Sequence, residues 1–413
     1  MRSDPLEHEQ DDTQAARPTP PNGFRFSSTD AGLAKGARLD LWLAVADDAY
    51  PAAAVFTTNR VVASPVAMSR EHLRLTGGRV RAILVNAGCA NACTGQGGDE
   101  DAATCARWVA ELVQCDPREV LVFSTGVIGK RLNMPAIERS LPGLYESLAA
   151  TPDALEHASR AILTTDLVPK VSSRRIPLRD GAFGSMVGLA KGSGMIHPQM
   201  ATMLGFVFTD LMLGDSTAIA LRSAVQQSFH RIDVDGDTST NDSVLAWSSG
   251  RRSEKPLDFD DTAHAGLVAL TDISIDLAKR IARDGEGATR LIEVRVRGAA
   301  SDHDADLCAR AIATSMLVRT AVHGNDPNWG RIVAAVGRSG ADLDTRRLRV
   351  GIGDACLFED DTPHPDREPT AAAALRLDPV VLWAELGRGA CESVYYTCDL
   401  SADYVRINAN YRS

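Results

Sequence analysis

The chain has 413 residues, a formal net charge of -10, and 44% hydrophobic against 24% charged residues. This balance is typical of a folded protein with two or more domains, and the acidic charge argues against nucleic acid or anionic membranes as partners. No stretch approaches the ~20 apolar residues of a membrane helix, and the N-terminus lacks the apolar core of a signal peptide. We therefore expect a cytoplasmic protein in which residues 1–22 form a disordered extension.

Apolar patterns along the chain predict strands and helices that alternate, with several strands close together. In the N-terminal two thirds, strands are predicted at 39–46, 52–58, 79–88, 119–129 and 200–211, helices at 101–115, 134–149, 154–164 and 216–232, and a glycine-rich turn at 184–198. Towards the C-terminus, strands are predicted at 291–299, 347–353, 355–360, 393–400 and 404–411, and helices at 304–322 and 378–389. This order predicts a layered α/β architecture with mixed sheets.

Thr202 lies between the glycine-rich turn and the apolar run MLGFVF. A threonine hydroxyl is a weak nucleophile that its own α-amine activates when the threonine is the first residue of a chain. Since Thr202 is internal, that chemistry requires cleavage of the peptide bond that joins it to Ala201. Gly192 and Gly194 offer the backbone freedom for such a step. The local pattern equally fits a buried threonine at the head of a strand.

Two other patterns bear on metal binding. Cys89 and Cys93 are separated by three residues, but no second pair with zinc-type spacing accompanies them, so we expect the eight cysteines to be free buried thiols. The acidic run Asp233, Asp235, Asp237 begins like an EF-hand, yet glycine falls at its fourth position and valine at its twelfth. We expect these aspartates to form turns and caps near the cleavage site, and we predict no metal site.

Nine sequence blocks, in order along residues 23–413, resemble the ornithine acetyltransferase family of bifunctional glutamate N-acetyltransferases. The blocks are AVFTTNRVVASPV, ILVNAGCANACTG, FSTGVIGKRL, AILTTD, KGSGMIHPQMATMLGFVFTD, DVDGDTSTND, DGEGATRLIEVRVRGA, DPNWGRI and CDLSADYVRINANYRS. The fifth block looks like the segment in which family members cleave themselves. The resemblance therefore identifies Thr202 as the expected nucleophile.

The resemblance implies a two-step reaction. Cleavage between Ala201 and Thr202 would give chains 1–201 and 202–413, which stay associated. Thr202 would then take the acetyl group from N2-acetylornithine and pass it to L-glutamate through an acetyl-threonine ester, which predicts ping-pong kinetics and requires no cofactor. Some family members also use acetyl-coenzyme A as a donor, and the sequence leaves this open.

The remaining site residues follow from the same resemblance. Thr125 and Gly126 match the family's oxyanion hole, although a Ser-Thr-Gly sequence alone also fits an ordinary turn. The expected substrate contacts, besides Thr202, are Lys191, Glu286, Asn408 and Ser413. Taken singly, each of these also fits a solvated polar residue, or a frayed end for Ser413.

The fold that the resemblance implies is a layered α/β sandwich like that of N-terminal-nucleophile enzymes, with a smaller α/β C-terminal domain. We expect the catalytic core at residues 23–289 and the smaller domain at 290–413. The resemblance also implies a heterotetramer of two cleaved pairs.

Three positions depart from the family pattern. Cys89 replaces an asparagine, Leu167 replaces a threonine, and His197 stands where the family has a small residue. They leave three alternatives to glutamate N-acetyltransfer open: a paralogous N-acyltransferase acting on a related acylated amino acid in a specialised pathway, an amidohydrolase, and an uncleaved, non-catalytic binding protein.

Overall fold

The computed structural model describes residues 17–178, 180–197, 203–214, 217–252 and 261–410, apart from the side chains of 261–264. Ala201, Thr202 and Ser413 therefore lie outside the described residues, as do residues 1–16 of the predicted extension. The last part of that extension contacts the core, since Arg17 forms an ion pair of 2.9 Å with Asp153.

The first sheet contains eight strands within the described residues. They are β1 Phe24–Thr29, β2 Leu41–Phe56, β3 Arg79–Cys89, β4 Val120–Val127, β5 Lys170–Pro177, β6 Phe183–Lys191, β7 Leu204–Thr209 and β8 Ser243–Ser248. Their order is β4-β3-β2-β8-β7-β6-β5, and β1 pairs with β2. The β3–β4 and β7–β8 pairs are parallel, and the other pairs are antiparallel.

Strand β2 joins the two halves of this sheet. Its first part pairs with β1 and β3, its register with β3 shifts between Val45 and Tyr50, and its last residues, Ala52–Phe56, pair with β8. The two predicted strands at 39–46 and 52–58 are therefore one bent strand.

Six helices accompany the first sheet in the described part of the chain. They are α1 Ser64–Leu75, α2 Gly95–Val113, α3 Met134–Glu146, α4 Pro152–Ala161, α5 Thr217–Gln227 and α6 Asp261–Arg283. None of the described helices is long and apolar enough to span a bilayer.

Alternate residues of β2 face opposite layers, as the two-residue period of a strand requires. Leu41, Leu43 and Val45 pack against apolar residues of α2 and α3. Trp42 and Ala44 pack on the other face, against an aromatic cluster from β1, β7 and β8. That cluster contains Phe24, Phe26, Phe206, Phe208 and Trp247.

The outer faces of β7 and β8 complete the layering. Val207 and Ala246 alternate with the aromatic residues of these strands and pack against Leu221 of α5 and Leu270 of α6. The order of layers is thus helix, sheet, sheet, helix, and the predicted layered α/β architecture is confirmed.

A second sheet lies C-terminal to the first. Its six strands, within the described residues, are β9 Leu291–Ala299, β10 Arg349–Ile352, β11 Ala355–Glu359, β12 Thr362–Pro363, β13 Val380–Glu385 and β14 Cys391–Cys398, in the order β12-β11-β10-β13-β9-β14. The accompanying helices are α7 Asp302–Ala313, α8 Met316–His323, α9 Trp329–Gly337, α10 Glu368–Ala374 and α11 Ala402–Asn410. The two sheets fall on either side of residue 290, where the domain boundary stays a prediction.

The helix predicted at 378–389 is wrong. Strand β13 occupies this segment, parallel to β9 and antiparallel to β10. Val380, Leu382 and Ala384 are buried, whereas the residues between them are partly exposed. This alternation has the two-residue period of a strand, which the apolar run VVLWA obscures.

The strand predicted at 404–411 is also wrong, because α11 covers Ala402–Asn410. The Ser401 hydroxyl accepts a hydrogen bond from the backbone N–H of Asp403 at 3.2 Å, as in a helix N-terminal cap. No residue of this helix is buried, so its apolar side chains do not form a sheet face.

Two further boundaries differ from the prediction. The single helix predicted at 304–322 is divided into α7 and α8, because the Ser315 hydroxyl caps a new helix at the backbone N–H of Val318. The glycine-rich segment predicted to turn at 184–198 remains in strand β6 up to Lys191, paired with β5 and β7, and turns only after it.

Candidate active site

A cavity of about 180 Å³ opens where β4 and β6 end, beside the loop before β8 and helix α11. Five residues predicted for the site line this cavity: Thr125, Gly126, Lys191, Glu286 and Asn408. They come from five separate parts of the chain, and only the folded sheet brings them together. The other predicted residues, Ala201, Thr202 and Ser413, lie outside the described residues.

Thr125 and Gly126 lie at the end of β4, opposite Ala87 and Gly88 of the parallel strand β3. Gly126 has a φ of +128°, and a Cβ atom at this position would lie 2.4 Å from the carbonyl carbon of Gly88. Since only glycine accepts both conditions without strain, the position of the Gly126 amide depends on this residue type.

Two buried asparagines hold the ends of β3 and β4. The Ser124 hydroxyl donates to Asn86 Oδ1 at 2.6 Å, and Asn86 Nδ2 donates to the carbonyl of Cys89 at 2.9 Å. From the loop before β8, Asn241 Nδ2 donates to the carbonyls of Ala90 at 2.7 Å and Ser124 at 2.9 Å. These bonds fix the strand ends that carry the predicted oxyanion hole.

Lys191 is the last residue of β6, and its side chain is buried. Its Nζ atom lies 3.4 Å from the hydroxyl oxygen of Thr125 and 4.0 Å from Asp166 Oδ2. Burial lowers the pKa of Lys191, and the Asp166 carboxylate opposes this change. The ammonium is thus held beside the predicted oxyanion hole with an anion at its back.

Glu286 and Asn408 form a polar pair on another wall of the cavity. Asn408 Nδ2 donates to Glu286 Oε2 at 2.7 Å, and the backbone N–H of Glu286 donates to the carbonyl of Ser193 at 3.0 Å. Asp235 and Asp237 line the cavity as well, so this wall is acidic. Burial raises the pKa of Asp235 to about 6 despite hydrogen bonds from backbone N–H groups.

The described residues on both sides of Thr202 are anchored beside this cavity. On one side, Leu204 pairs with Lys191 and with Ser243 in the sheet. The backbone N–H of Met203, the residue after Thr202, donates to Asp242 Oδ1 at 2.9 Å. On the other side, Ile196 accepts from and donates to the loop before β8, through the N–H of Val234 and the carboxylate of Asp235.

The acidic run at 233–237 supports turns, as predicted. Asp235 accepts hydrogen bonds from the backbone N–H groups of Met195 at 2.6 Å and Ile196 at 2.8 Å. All eight cysteines are free, and five of them are buried. Across the described ranges, the side chains of histidine, cysteine, aspartate and glutamate form no group of three or more that could hold a metal ion.

The three departures from the family pattern lie away from the cavity lining. Cys89 is buried and its thiol contacts the carbonyl of Lys130 at 3.0 Å. Leu167 is 80% exposed. His197 contacts Asp233 through Nδ1 at 2.9 Å. None of the three is among the described residues that line the cavity.

Sequence reasoning missed several residues that shape the site. Thr164 and Thr165 line the cavity, Asp166 lies behind Lys191, and Asn241 and Asp242 hold the strand ends. All five occur in the blocks AILTTD and DVDGDTSTND, so their position in those blocks was the signal available.

Comparison with known proteins gives a family match over almost the whole chain. The ArgJ family model matches residues 25–413. The arginine biosynthesis bifunctional protein ArgJ of Desulfotalea psychrophila is 43% identical over 394 residues, which cover 95% of this chain and 99% of the relative. The protein of the same name from Parasynechococcus marenigrum is 46% identical over 398 residues, 95% of this chain and 94% of the relative.

Among solved structures, the arginine biosynthesis bifunctional protein argJ of Bacillus halodurans is 42% identical. The match covers 50% of this chain and 98% of that chain, with a TM-score of 0.49.

Proposed function

The chain belongs to the ArgJ family, and we propose that it is a glutamate N-acetyltransferase that carries an acetyl group from N2-acetylornithine to L-glutamate, with Thr202 as the nucleophile. One observation carries this proposal: Thr125, Gly126, Lys191 and Glu286 converge on one cavity, beside the strand that begins two residues after Thr202. A nucleophile, oxyanion donors and charged substrate contacts within one cavity are the components that acyl transfer needs.

The first step is maturation. The Thr202 hydroxyl attacks the carbonyl carbon of Ala201, the peptide C–N bond breaks, and water hydrolyses the resulting ester. The products are a new carboxylate at Ala201 and a free α-amine at Thr202. The hydrogen bond from Met203 to Asp242 supports this step, because it fixes the backbone next to the bond that breaks.

The second step is acetyl transfer. The Thr202 oxygen bonds to the acetyl carbon of N2-acetylornithine while the α-amine takes the hydroxyl proton. The bond from the acetyl carbon to the ornithine nitrogen then breaks, and ornithine leaves with that proton. The amine of L-glutamate attacks the acetyl-threonine ester and restores the free hydroxyl. In both halves, the Thr125 hydroxyl and the Gly126 N–H donate to the oxyanion.

The charges around the cavity support an amino-acid substrate with a cationic side chain. Lys191 is the single lysine or arginine among the described residues that line it, whereas Asp235, Asp237 and Glu286 are acidic. The α-carboxylate of N2-acetylornithine fits the ammonium of Lys191, and its side-chain ammonium fits the acidic wall. Because Leu167, Cys89 and His197 do not line the cavity, they give no reason to prefer another acyl donor.

The test uses the purified full chain with N2-acetylornithine and L-glutamate. We expect release of ornithine, formation of N-acetylglutamate, two bands on a denaturing gel, and a mass that places Thr202 at a new N-terminus. Thr202→Ala should abolish both cleavage and transfer, and Thr202→Ser, which keeps a hydroxyl, should retain part of both. A single full-length band together with no ornithine release would refute the proposal.

The same assay separates the alternatives. Ornithine release at an equal rate without L-glutamate would identify an amidohydrolase. Replacement of N2-acetylornithine by acetyl-coenzyme A tests whether this second donor is used. We also propose a heterotetramer of two cleaved pairs, for which light scattering should give about twice the 44.1 kDa of one chain.

A further inference from the structure

Four buried charged side chains lie together behind the cavity, and we call them the buried charge cluster: Asp166, Lys170, Lys191 and Asp284. Their side chains are 0%, 0%, 2% and 6% exposed, respectively. Two are cationic and two are anionic, so the cluster is neutral as a whole. Buried charges persist in proteins only when they are paired in this way.

Asp166 makes the contacts that connect this cluster to the active site. Its Oδ1 atom accepts from Lys170 Nζ at 2.8 Å and from the backbone N–H of Gly192 at 2.6 Å. Its Oδ2 atom lies 4.0 Å from Lys191 Nζ and accepts from the backbone N–H of Thr164 at 3.1 Å. One carboxylate therefore contacts both the side chain of Lys191 and the backbone of the residue that follows it.

Lys170 and Asp284 hold Asp166 from the other side. Lys170 Nζ donates to Asp284 Oδ2 at 2.6 Å, and the Asp284 carbonyl accepts from the Ser193 hydroxyl at 2.7 Å. The cluster thus grips three consecutive residues, 191–193, at the start of the segment that leads to Thr202.

We propose that Asp166 is a positioning residue for acetyl transfer, which holds the Lys191 ammonium beside Thr125 and keeps it charged, and that Lys170 tunes this charge from the opposite side. This inference rests on the proposed function, because it assigns Lys191 a role in that reaction. Asp166 acts through Lys191 and does not line the cavity among the described residues.

The charge state of Lys191 follows from the groups that face it. Burial disfavours its ammonium form, Asp166, Asp242 and Glu286 favour it, and Lys170 disfavours it. Burial alone would raise the pKa of Asp166, but Lys191 and Lys170 lower it to about 2, so Asp166 is an anion at every pH at which the enzyme would be assayed. Asp166 is therefore a fixed negative charge, and Lys170 a cation that opposes it.

Two substitutions in the cluster have opposite consequences for Lys191. Asp166→Asn removes the nearest anion, so the pKa of Lys191 falls and the active ammonium form is lost at lower pH. Lys170→Gln removes a repelling cation, so the pKa of Lys191 rises and the ammonium persists to higher pH. A residue that merely stabilises the fold gives no shifts of opposite sign.

The experiment measures kcat/KM for N2-acetylornithine as a function of pH in the full chain, since this ratio reports ionisations of the free enzyme. We expect the alkaline limb to move down by about 1–3 pH units in Asp166→Asn and to move up in Lys170→Gln. We also expect kcat of Asp166→Asn to fall about 10–100-fold because the ammonium is no longer held in place.

Asp210→Asn is the matched control. Asp210 is also a buried aspartate that accepts a backbone N–H, from Ser185 at 2.7 Å, but it follows the far end of β7 from Met203. It should change the melting temperature without moving the alkaline limb.

The outcomes separate this inference from the proposed function. If the unaltered protein transfers no acetyl group, the proposed function fails. If the unaltered protein is active and both cluster variants keep its pH profile, or shift it in the same direction, the positioning role is overturned. If Asp166→Asn does not fold, the upward shift in Lys170→Gln decides the question alone.

Discussion

Asp242 Oδ1 accepts a hydrogen bond from the backbone N–H of Met203 at 2.9 Å, one residue from the predicted nucleophile. The other carboxylate oxygen accepts from the backbone N–H of Ser239 at 3.2 Å. Burial raises the pKa of Asp242 well above its usual range, against the opposing effect of these hydrogen bonds and of Lys191. Asp242 therefore fixes the backbone beside Thr202 while carrying a proton over a wider pH range than an exposed aspartate.

We expect Asp242→Ala to slow cleavage between Ala201 and Thr202. The substitution leaves the N–H groups of Met203 and Ser239 without their acceptor, which should cost about 1–3 kcal/mol of unfolding free energy for each buried group. A time course of cell-free synthesis on a denaturing gel measures the cleavage rate, and chemical denaturation measures the stability. Asp242→Asn, which keeps one acceptor oxygen, should be affected less; equal cleavage rates in all three proteins would contradict the prediction.

Gly126 offers a test of the oxyanion hole. We expect Gly126→Ala to reduce kcat about 10²–10³-fold, because a Cβ atom there would displace the backbone N–H that is proposed to bind the oxyanion. Gly129→Ala is the matched control, since Gly129 also has a positive φ, of +79°, but a Cβ atom would meet nothing within 4 Å. Steady-state kinetics on both variants should show the large loss only at Gly126, and a similar loss at Gly129 would point to general strain instead.

The sequence was sufficient to predict the parts of the site that lie at the ends of regular strands. Strand β4 has an uninterrupted apolar run that stops at Thr125 and Gly126, so its end could be located from the pattern. Asn241 and Asp166 could not be singled out in this way. Their roles depend on partners far along the chain, such as Ala90 for Asn241 and Gly192 for Asp166, and no local pattern records such contacts.

The two misassigned elements have a similar physical reason. Strand β13 was predicted as a helix because its half-buried positions carry Val381 and Trp383, which hide the alternation between buried and exposed residues. Helix α11 was predicted as a strand because its tyrosine, valine and isoleucine favour β-structure, whereas the cap at Ser401 and the bond from Asn408 to Glu286 favour the helix. In both cases tertiary contacts outweigh local propensity.

Asn408 should affect substrate binding more than turnover. We expect Asn408→Ala to raise KM for N2-acetylornithine about tenfold, because Glu286 loses the amide that orients its carboxylate. Asn410→Ala is a control on the same helix, since the Asn410 amide donates only to the carbonyl of Arg406 at 3.0 Å. Initial rates over a range of N2-acetylornithine concentrations compare the two, and an unchanged KM in Asn408→Ala would rule out this contact.

Leu167 tests whether a departure from the family pattern changes the substrate. Its side chain is 80% exposed and does not line the cavity as described, so Leu167→Thr should change KM for N2-acetylornithine less than about twofold, as is usual for surface substitutions. Thr165→Ala provides the comparison, because Thr165 does line the cavity and should raise KM more. A strong gain of activity in Leu167→Thr would show that this position contacts the substrate after all.

Asp235 should make the stability of the protein depend on pH between about 4 and about 6. Burial raises its pKa from the ordinary 3.8 to about 6, so within this range the folded state binds more protons than the unfolded state. The free energy of unfolding must then fall as pH rises through this range, by about 2 kcal/mol for this one group, and stay level above it. Asp235→Asn removes the titration but keeps an acceptor for the N–H groups of Met195 and Ile196. Urea denaturation at pH 4, 5, 6 and 7 should therefore show the unaltered protein losing stability relative to Asp235→Asn up to pH 6, and a constant difference would mean that Asp235 titrates normally.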